Sequence, residues 1–125
     1  NMRFSHVMLR VKDIDKSLAF YQEMFDMNIT NKMRLEDCDL YFLSDEDGQT
    51  QIELTYNDVT PGSGYTHGTG FGHLAFEVYF EDFVKRLDKY DIKFTYPPTE
   101  VEDYDMKIAF IQDPDGYEIE LVENY

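Results

Sequence analysis

Two of the chain's three histidines stand in a fixed relation to two glutamates: 67 residues separate His6 from His73, and 67 separate Glu53 from Glu120. Each histidine opens an apolar stretch, His6-Val-Met-Leu-Arg-Val and His73-Leu-Ala-Phe-Glu-Val, and each glutamate is set between apolar neighbours, Ile52-Glu53-Leu54 and Ile119-Glu120-Leu121. Two imidazoles and two carboxylates form a mixed nitrogen and oxygen donor set. It suits a divalent ion such as nickel, cobalt, zinc or iron, with coordination positions left over for a reactant. Taken alone, either histidine reads as an ordinary residue at a strand edge, and either glutamate as the solvated side of a one-faced sheet. Solvent-facing positions have no reason to recur at one spacing, so the matched quartet favours a shared site in a duplicated unit.

The elements that must carry these four residues follow from periodicity. Phe4 to Val11 reads as a strand with His6, Met8 and Arg10 on one face. Asp13 is placed to cap a helix through Phe25 whose Ile14, Leu18, Tyr21, Met24 and Phe25 form an apolar stripe. Strands are expected at 29–35, 39–44 and 50–56, the last two joined by a turn at Asp45-Glu46-Asp47-Gly48. After a turn-rich segment around Pro61, Gly62, Ser63 and Gly64, the order repeats: a strand at 71–79, a helix at 80–90 with Phe83, Val84 and Leu87 inward, and strands at 92–96, 106–111 and 117–122. The expected fold is α+β, two β-α-β-β-β modules forming a cupped mixed sheet. The modules cover about 3–57 and 70–124, joined by a linker at 58–69 within one domain of residues 1–125.

A chain of 125 residues and 14.8 kDa with 42% apolar and 16% aromatic residues can bury a core. Its formal net charge of −15 repels phosphate backbones and anionic membranes, which argues against nucleic acid or a membrane as partner. No apolar run approaches bilayer length and no leader is read, Asn1 before Met2 being set aside. The lone Cys38, placed in an acidic turn between Asp37 and Asp39, fits a reducing, cytoplasmic setting and no disulfide framework. The glycines after His67 precede no helix, so they are not a phosphate loop, and His67 reads as a surface residue.

The motifs His6-x3-Arg10-Val-x-Asp13, Glu53-Leu-Thr-Tyr-Asn57, Gly72-His73-x-Ala-Phe76 and Asp113-Pro-Asp-Gly-Tyr-x-Ile-Glu120-Leu, in that order, resemble the glyoxalase I (lactoylglutathione lyase) family of the vicinal oxygen chelate superfamily. The resemblance covers nearly the whole chain. It implies a metal held by His6, Glu53, His73 and Glu120, with Ni2+ or Co2+ favoured and Zn2+ possible, since a histidine at the first position in a short chain is similar to the bacterial type. The implied reaction turns the hemithioacetal of methylglyoxal and a thiol into an S-lactoyl thioester. Such a substrate carries hydroxyl and carbonyl on adjacent carbons, so a chelating ion acidifies the C–H between them. By resemblance Glu120 is the base, with Glu53 opposite it for the other proton transfer, and Arg10 and Asn57 bind the glutamyl end of glutathione.

The resemblance also implies a homodimer, with each site built within a chain or between chains. Two features depart from the family pattern: Glu77 at the position equivalent to Arg10, and the acidic run Glu100-Val-Glu-Asp-Tyr-Asp105, where relatives carry Lys and Gly. Both leave open a thiol other than glutathione, with Lys107 the nearest cation. The alternatives are another metal-dependent enzyme of the superfamily (epimerase, thiol transferase or dioxygenase) or a metal-free binding and resistance module.

Overall fold

The computed structural model describes residues 1–125, and contacts divide them into two compact units, Asn1–Thr66 and His67–Tyr125. The first contains β1 (His6–Arg10), α1 (Ile14–Phe25), β2 (Asn28–Arg34), β3 (Cys38–Ser44) and β4 (Gln51–Asn57). The second contains β5 (Leu74–Glu77), α2 (Phe80–Lys89), β6 (Tyr96–Val101), β7 (Met106–Gln112) and β8 (Glu118–Asn124). Each unit forms one four-stranded mixed sheet, in the orders β1-β4-β3-β2 and β5-β8-β7-β6. The first strand of each unit pairs in parallel with the last, and the other pairings are antiparallel. The chain is therefore α+β with the same topology twice. Neither helix is long and apolar enough to cross a membrane.

Helix α1 starts where a side chain replaces a missing backbone partner: Asp13, extended at φ −131°, accepts from the Lys16 N–H at 3.1 Å. Its buried stripe is Ser17, Phe20, Tyr21 and Met24, at the spacing i, i+3, i+4, i+7. This stripe is rotated from the expected one, and Ile14, Leu18 and Phe25 flank it half-buried. The small Ser17, wholly buried, lies on that inner face and carries no apolar signal in the sequence. Leu9, Val11, Leu43, Ile52 and Leu54 supply the buried side of the first sheet. In the second unit Phe80, Phe83 and Leu87 of α2 play the part of that stripe, with Ala109, Ile111, Ile119 and Leu121 on the strands, while Val84 is half-buried.

Two expected strands are shifted. The stretch 92–95 holds one bond into the sheet, Thr95 N–H to the Phe110 carbonyl at 2.8 Å. Strand β6 instead runs over Pro97 and Pro98 to Val101, with a register break between Tyr96 and Thr99. Prolines cannot donate to a ladder, but β6 is an edge strand, where an outward-facing position needs no donor. Much of the acidic run is thus the end of β6 and the turn after it. There Lys107 Nζ lies 3.9 Å from Glu100, and the Tyr125 hydroxyl donates to Glu100 at 2.6 Å, a bond that pushes the phenol up to about 12. Strand β5 is shorter than expected and leaves His73 just before it.

Cys38 is no turn residue: it opens β3, buried opposite Asn57, and burial pushes its thiol upward, helped by Asp37. His67 is half-buried, its ring stacked on Tyr117 at 4.1 Å between centroids, with Nε2 unpartnered. The turn before β8 is held by the Asp113 carboxylate, which accepts from the Asp115 and Tyr117 N–H groups at 2.9 Å each, and Gly116 supplies the required φ of 85°.

Edge strand β2 is exposed along its whole length and is blunted by Lys32, Arg34 and a register break after Ile29. Arg34 donates to both Asp58 oxygens, at 2.8 and 2.6 Å, and this holds the Asp58 carboxyl below its ordinary value. A depressed carboxyl contributes stability that is present above the unfolded carboxylate pKa and lost as pH falls through the folded one. The pair is half exposed, so its share is small. Melting temperature followed against pH should therefore fall less steeply below about pH 4 in Asp58→Asn than in the parent; identical acid limbs would remove the pair from the pH response. Asp13→Ala should cost about 1 kcal/mol, read as a lower urea midpoint with unchanged slope.

Candidate metal and catalytic site

The parallel register of the first unit sets His6 beside Gln51 and Met8 beside Glu53, so the imidazole and the carboxylate are diagonal neighbours on one face. His6 Nε2 lies 3.0 Å from Glu53 Oε1. The second unit repeats the arrangement: Leu74 pairs with Ile119 and Ala75 with Glu120, and His73 Nε2 lies 3.4 Å from Glu120 Oε1. Strand topology thus produces the same donor pair twice.

A third member, not picked out from the sequence, completes each pair. Phe42 on β3 faces Glu53 in the ladder, and Phe110 on β7 faces Glu120. Each phenyl ring meets its histidine edge to face at a centroid distance of 5.3 Å, His6 with Phe42 and His73 with Phe110. Such a contact fixes the ring plane of the imidazole, and with it the direction of Nε2. The two phenylalanines are 68 residues apart, not 67, because eleven residues separate Phe42 from Glu53 and ten separate Phe110 from Glu120. That single-residue difference hides them from a search at constant spacing. A cavity of about 600 Å³ opens beside the first pair, lined by Phe4, His6, Met33, Phe42 and Gln51 among others.

The pair distances fit a common cation. Donors about 2.1 Å from an ion lie roughly 3.0 Å apart when cis in an octahedron and roughly 3.4 Å apart in a tetrahedron. The same distances place each imidazole nitrogen within ion-pair reach of its carboxylate. No group of three or more His, Cys, Asp or Glu side chains capable of holding a metal occurs in the chain; each unit brings together one imidazole and one carboxylate, two of the four residues expected to share an ion. The coordination chemistry of each half is that of a borderline divalent ion.

The surroundings of the two halves differ. Glu53 is buried at 8% exposure, and the Thr55 hydroxyl donates to its Oε2 at 2.6 Å. Ser5 Oγ lies 2.8 Å from His6 Nδ1. The residues at the equivalent places in the second unit, Val122 and Gly72, have no hydroxyl. The Glu120 side chain is 19% exposed against 11% for Glu53.

The remaining residues singled out in the sequence lie at the far ends of the same faces. Arg10 closes β1 opposite Thr55, with its side chain exposed. Asn57 closes β4 and its Oδ1 accepts from the Tyr65 hydroxyl at 3.3 Å. Glu77 closes β5 opposite Val122 and accepts from Asn124 at 3.3 Å.

Comparison with known proteins agrees with this topology. A lactoylglutathione lyase of Haemophilus influenzae is 38% identical over 98% of this chain and 93% of its own length. The Arabidopsis thaliana lactoylglutathione lyase GLX1 is 38% identical over 98% of the chain, which spans only 44% of that longer protein. Among solved structures, glyoxalase I from Zea mays superposes with a TM-score of 0.82 at 34% identity over 96% of this chain and 44% of that one. The trypanothione-dependent glyoxalase I of Leishmania major superposes with a TM-score of 0.79 at 34% identity over 98% and 87%. A family model described as the glyoxalase/bleomycin resistance protein/dioxygenase superfamily matches residues 3–121. With the topology, the repeated donor pairs and that match in agreement, the chain belongs to the glyoxalase/bleomycin resistance protein/dioxygenase superfamily.

Proposed function

We propose that this chain is a glyoxalase I-like carbon–sulfur lyase, dependent on a divalent metal, that converts the hemithioacetal of methylglyoxal and a thiol into an S-lactoyl thioester. The observation that carries this reading is the recurrence of one trio, imidazole, carboxylate and edge-on phenyl ring, in both units. The lactoylglutathione lyases similar to nearly the whole chain support this activity over ring cleavage, epimerisation or simple sequestration.

In this proposal His6 and His73 through Nε2, and Glu53 and Glu120 through a carboxylate oxygen, hold one ion, with the halves brought together within a chain or across a homodimer. The modules 3–57 and 70–124, joined through 58–69, are the pieces that meet. Nickel or cobalt is placed ahead of zinc by the resemblance of this short chain, with histidine at the first position, to the bacterial type; the nitrogen and oxygen donor set accepts all three. When bound, the ion supplies Lewis acidity toward the adjacent hydroxyl and carbonyl oxygens of the hemithioacetal.

The chain's own residues then move one proton. A Glu120 oxygen accepts it from the hydroxyl-bearing carbon and returns it to the neighbouring carbonyl carbon. The hydroxyl proton passes to the other oxygen, so the product is an isomer with no atom gained or lost. Glu53 is the second carboxylate within the set for proton transfer. Arg10 and Asn57 bind the polar end of the thiol. Glu77 and the acidic turn after β6, where Lys107 already faces Glu100, leave glutathione in competition with less anionic thiols. The single, buried, free thiol of Cys38 suits a reducing, cytoplasmic setting.

Nickel-loaded protein supplied with methylglyoxal and glutathione, or with a panel of other thiols, should form thioester with at least one; none formed with any thiol would refute the lyase reading. Chelation should abolish turnover, and nickel or cobalt should restore more of it than zinc does. Glu120→Gln should keep the parent's circular dichroism while turnover falls by about 10²- to 10⁴-fold. Near-parental turnover would take the base role away from Glu120.

A further inference from the structure

The duplication preserved the donor pairs and their facing phenyl rings but not the hydroxyls beside them. We propose that Ser5 and Thr55 form a hydroxyl clamp that makes Glu53 a fixed ligand, and that the lack of any such clamp in the second unit is what frees Glu120 to move as the base. This rests on the metal-dependent reading of the site and deepens it by assigning different work to two carboxylates that the duplication makes formally equivalent.

Three observations point the same way. The Thr55 hydroxyl donates at 2.6 Å to Oε2 of Glu53, the oxygen turned away from His6. A charge-assisted bond of that length restricts rotation of the carboxylate about its terminal bond, and Thr55 is itself only 4% exposed, so the donor has little room to swing. Second, Ser5 Oγ meets His6 Nδ1 at 2.8 Å. With Nε2 reserved for the ion, Nδ1 carries the proton and donates to that hydroxyl, which sets both tautomer and ring angle. Third, 67 residues on, Thr55 becomes Val122 and Ser5 becomes Gly72, while histidine, glutamate and the facing phenylalanine persist. The His73 to Glu120 distance is correspondingly longer, 3.4 against 3.0 Å, and both side chains of that pair are more exposed.

A carboxylate that must leave a cation, take a proton and return needs a shallow set of alternative positions. A carboxylate whose second oxygen is already bonded has one preferred position. Thr55 is thus a positioning residue, acting through Glu53 and not on substrate. Val122, at the same ladder position two residues beyond Glu120, gives the loose half an apolar neighbour in place of a donor.

Two substitutions test the assignment in opposite directions, on full-length protein, with nickel affinity measured by competition against a chromophoric chelator and kcat and KM measured separately. Thr55→Val should weaken nickel binding by about 10-fold or more, the range typical for loss of a group supporting a ligand, and Thr55→Ser, which keeps the hydroxyl, should restore it. Val122→Thr installs the missing donor beside Glu120. It should leave nickel binding as tight as the parent's or tighter while kcat falls several-fold at little-changed KM. Parental nickel affinity in Thr55→Val, or parental kcat in Val122→Thr, overturns the clamp even if the parent binds nickel and turns over as proposed. A parent that binds no nickel overturns the metal-dependent reading and the clamp together. Should Thr55→Val fail to fold, the kcat of Val122→Thr decides.

Discussion

The approach of a histidine Nε2 to a glutamate oxygen, 3.0 Å in one unit and 3.4 Å in the other, is the contact on which the account of this protein depends. It is made by strand register. A parallel pair between the first and last strands of each unit places the imidazole one diagonal step from the carboxylate, and the antiparallel neighbour adds a phenyl ring that fixes the imidazole plane. A slip of one residue in either parallel pair would turn the glutamate to the apolar face of its sheet and leave a carboxylate among Leu9, Val11 and Leu43 in the first unit, or beside Ala109 and Ile111 in the second. Burying a charge there without a partner would be strongly unfavourable, so the core that stabilises each unit also enforces the geometry of its donor pair.

That coupling accounts for the division of labour between the two faces of each sheet. One face carries aliphatic and aromatic side chains against an amphipathic helix. The other carries His, Glu, Thr and Asn among Cys38, Leu40 and Phe42, a polar set on a partly apolar ground. Charged side chains on such a ground are weakly screened by water, which strengthens both their hold on a cation and the hydrogen bonds that orient them. Two of the strongly negative chain's few cations are engaged away from the donor pairs, Arg34 by Asp58 and Lys107 near Glu100. The donor faces are therefore dominated by groups that attract a positive ion.

Much of this was legible in the residues alone. Equal spacing exposed the duplication and singled out His6, Glu53, His73 and Glu120, which the structure brings together as two imidazole–carboxylate pairs. Asp13 and the Asp45 to Gly48 turn announced themselves through local chemistry that tertiary structure did not override, with the Gly48 N–H bonded to Asp45 at 3.1 Å. What escaped notice did so for physical reasons. Pro97 and Pro98 argue locally for a loop, yet an edge strand tolerates them. Phe42 and Phe110 fall out of step by one residue because a turn differs in length. The hydroxyls of Ser5 and Thr55 act through side-chain hydrogen bonds, which leave no periodic trace. Ser17 is buried because it is small, and hydropathy has no means of marking that.

Duplication explains why the halves look alike, and subsequent loss or gain of two hydroxyls explains why they need not act alike. The claim beneath both is that two imidazoles and two carboxylates drawn from equivalent units share a single cation. X-ray absorption at the nickel edge of loaded protein tests it most directly. The account predicts one ion in a six-coordinate shell of nitrogen and oxygen donors with the outer-shell scattering of two imidazole rings; a shell with one imidazole or none would show that the pairs act separately and contradict it.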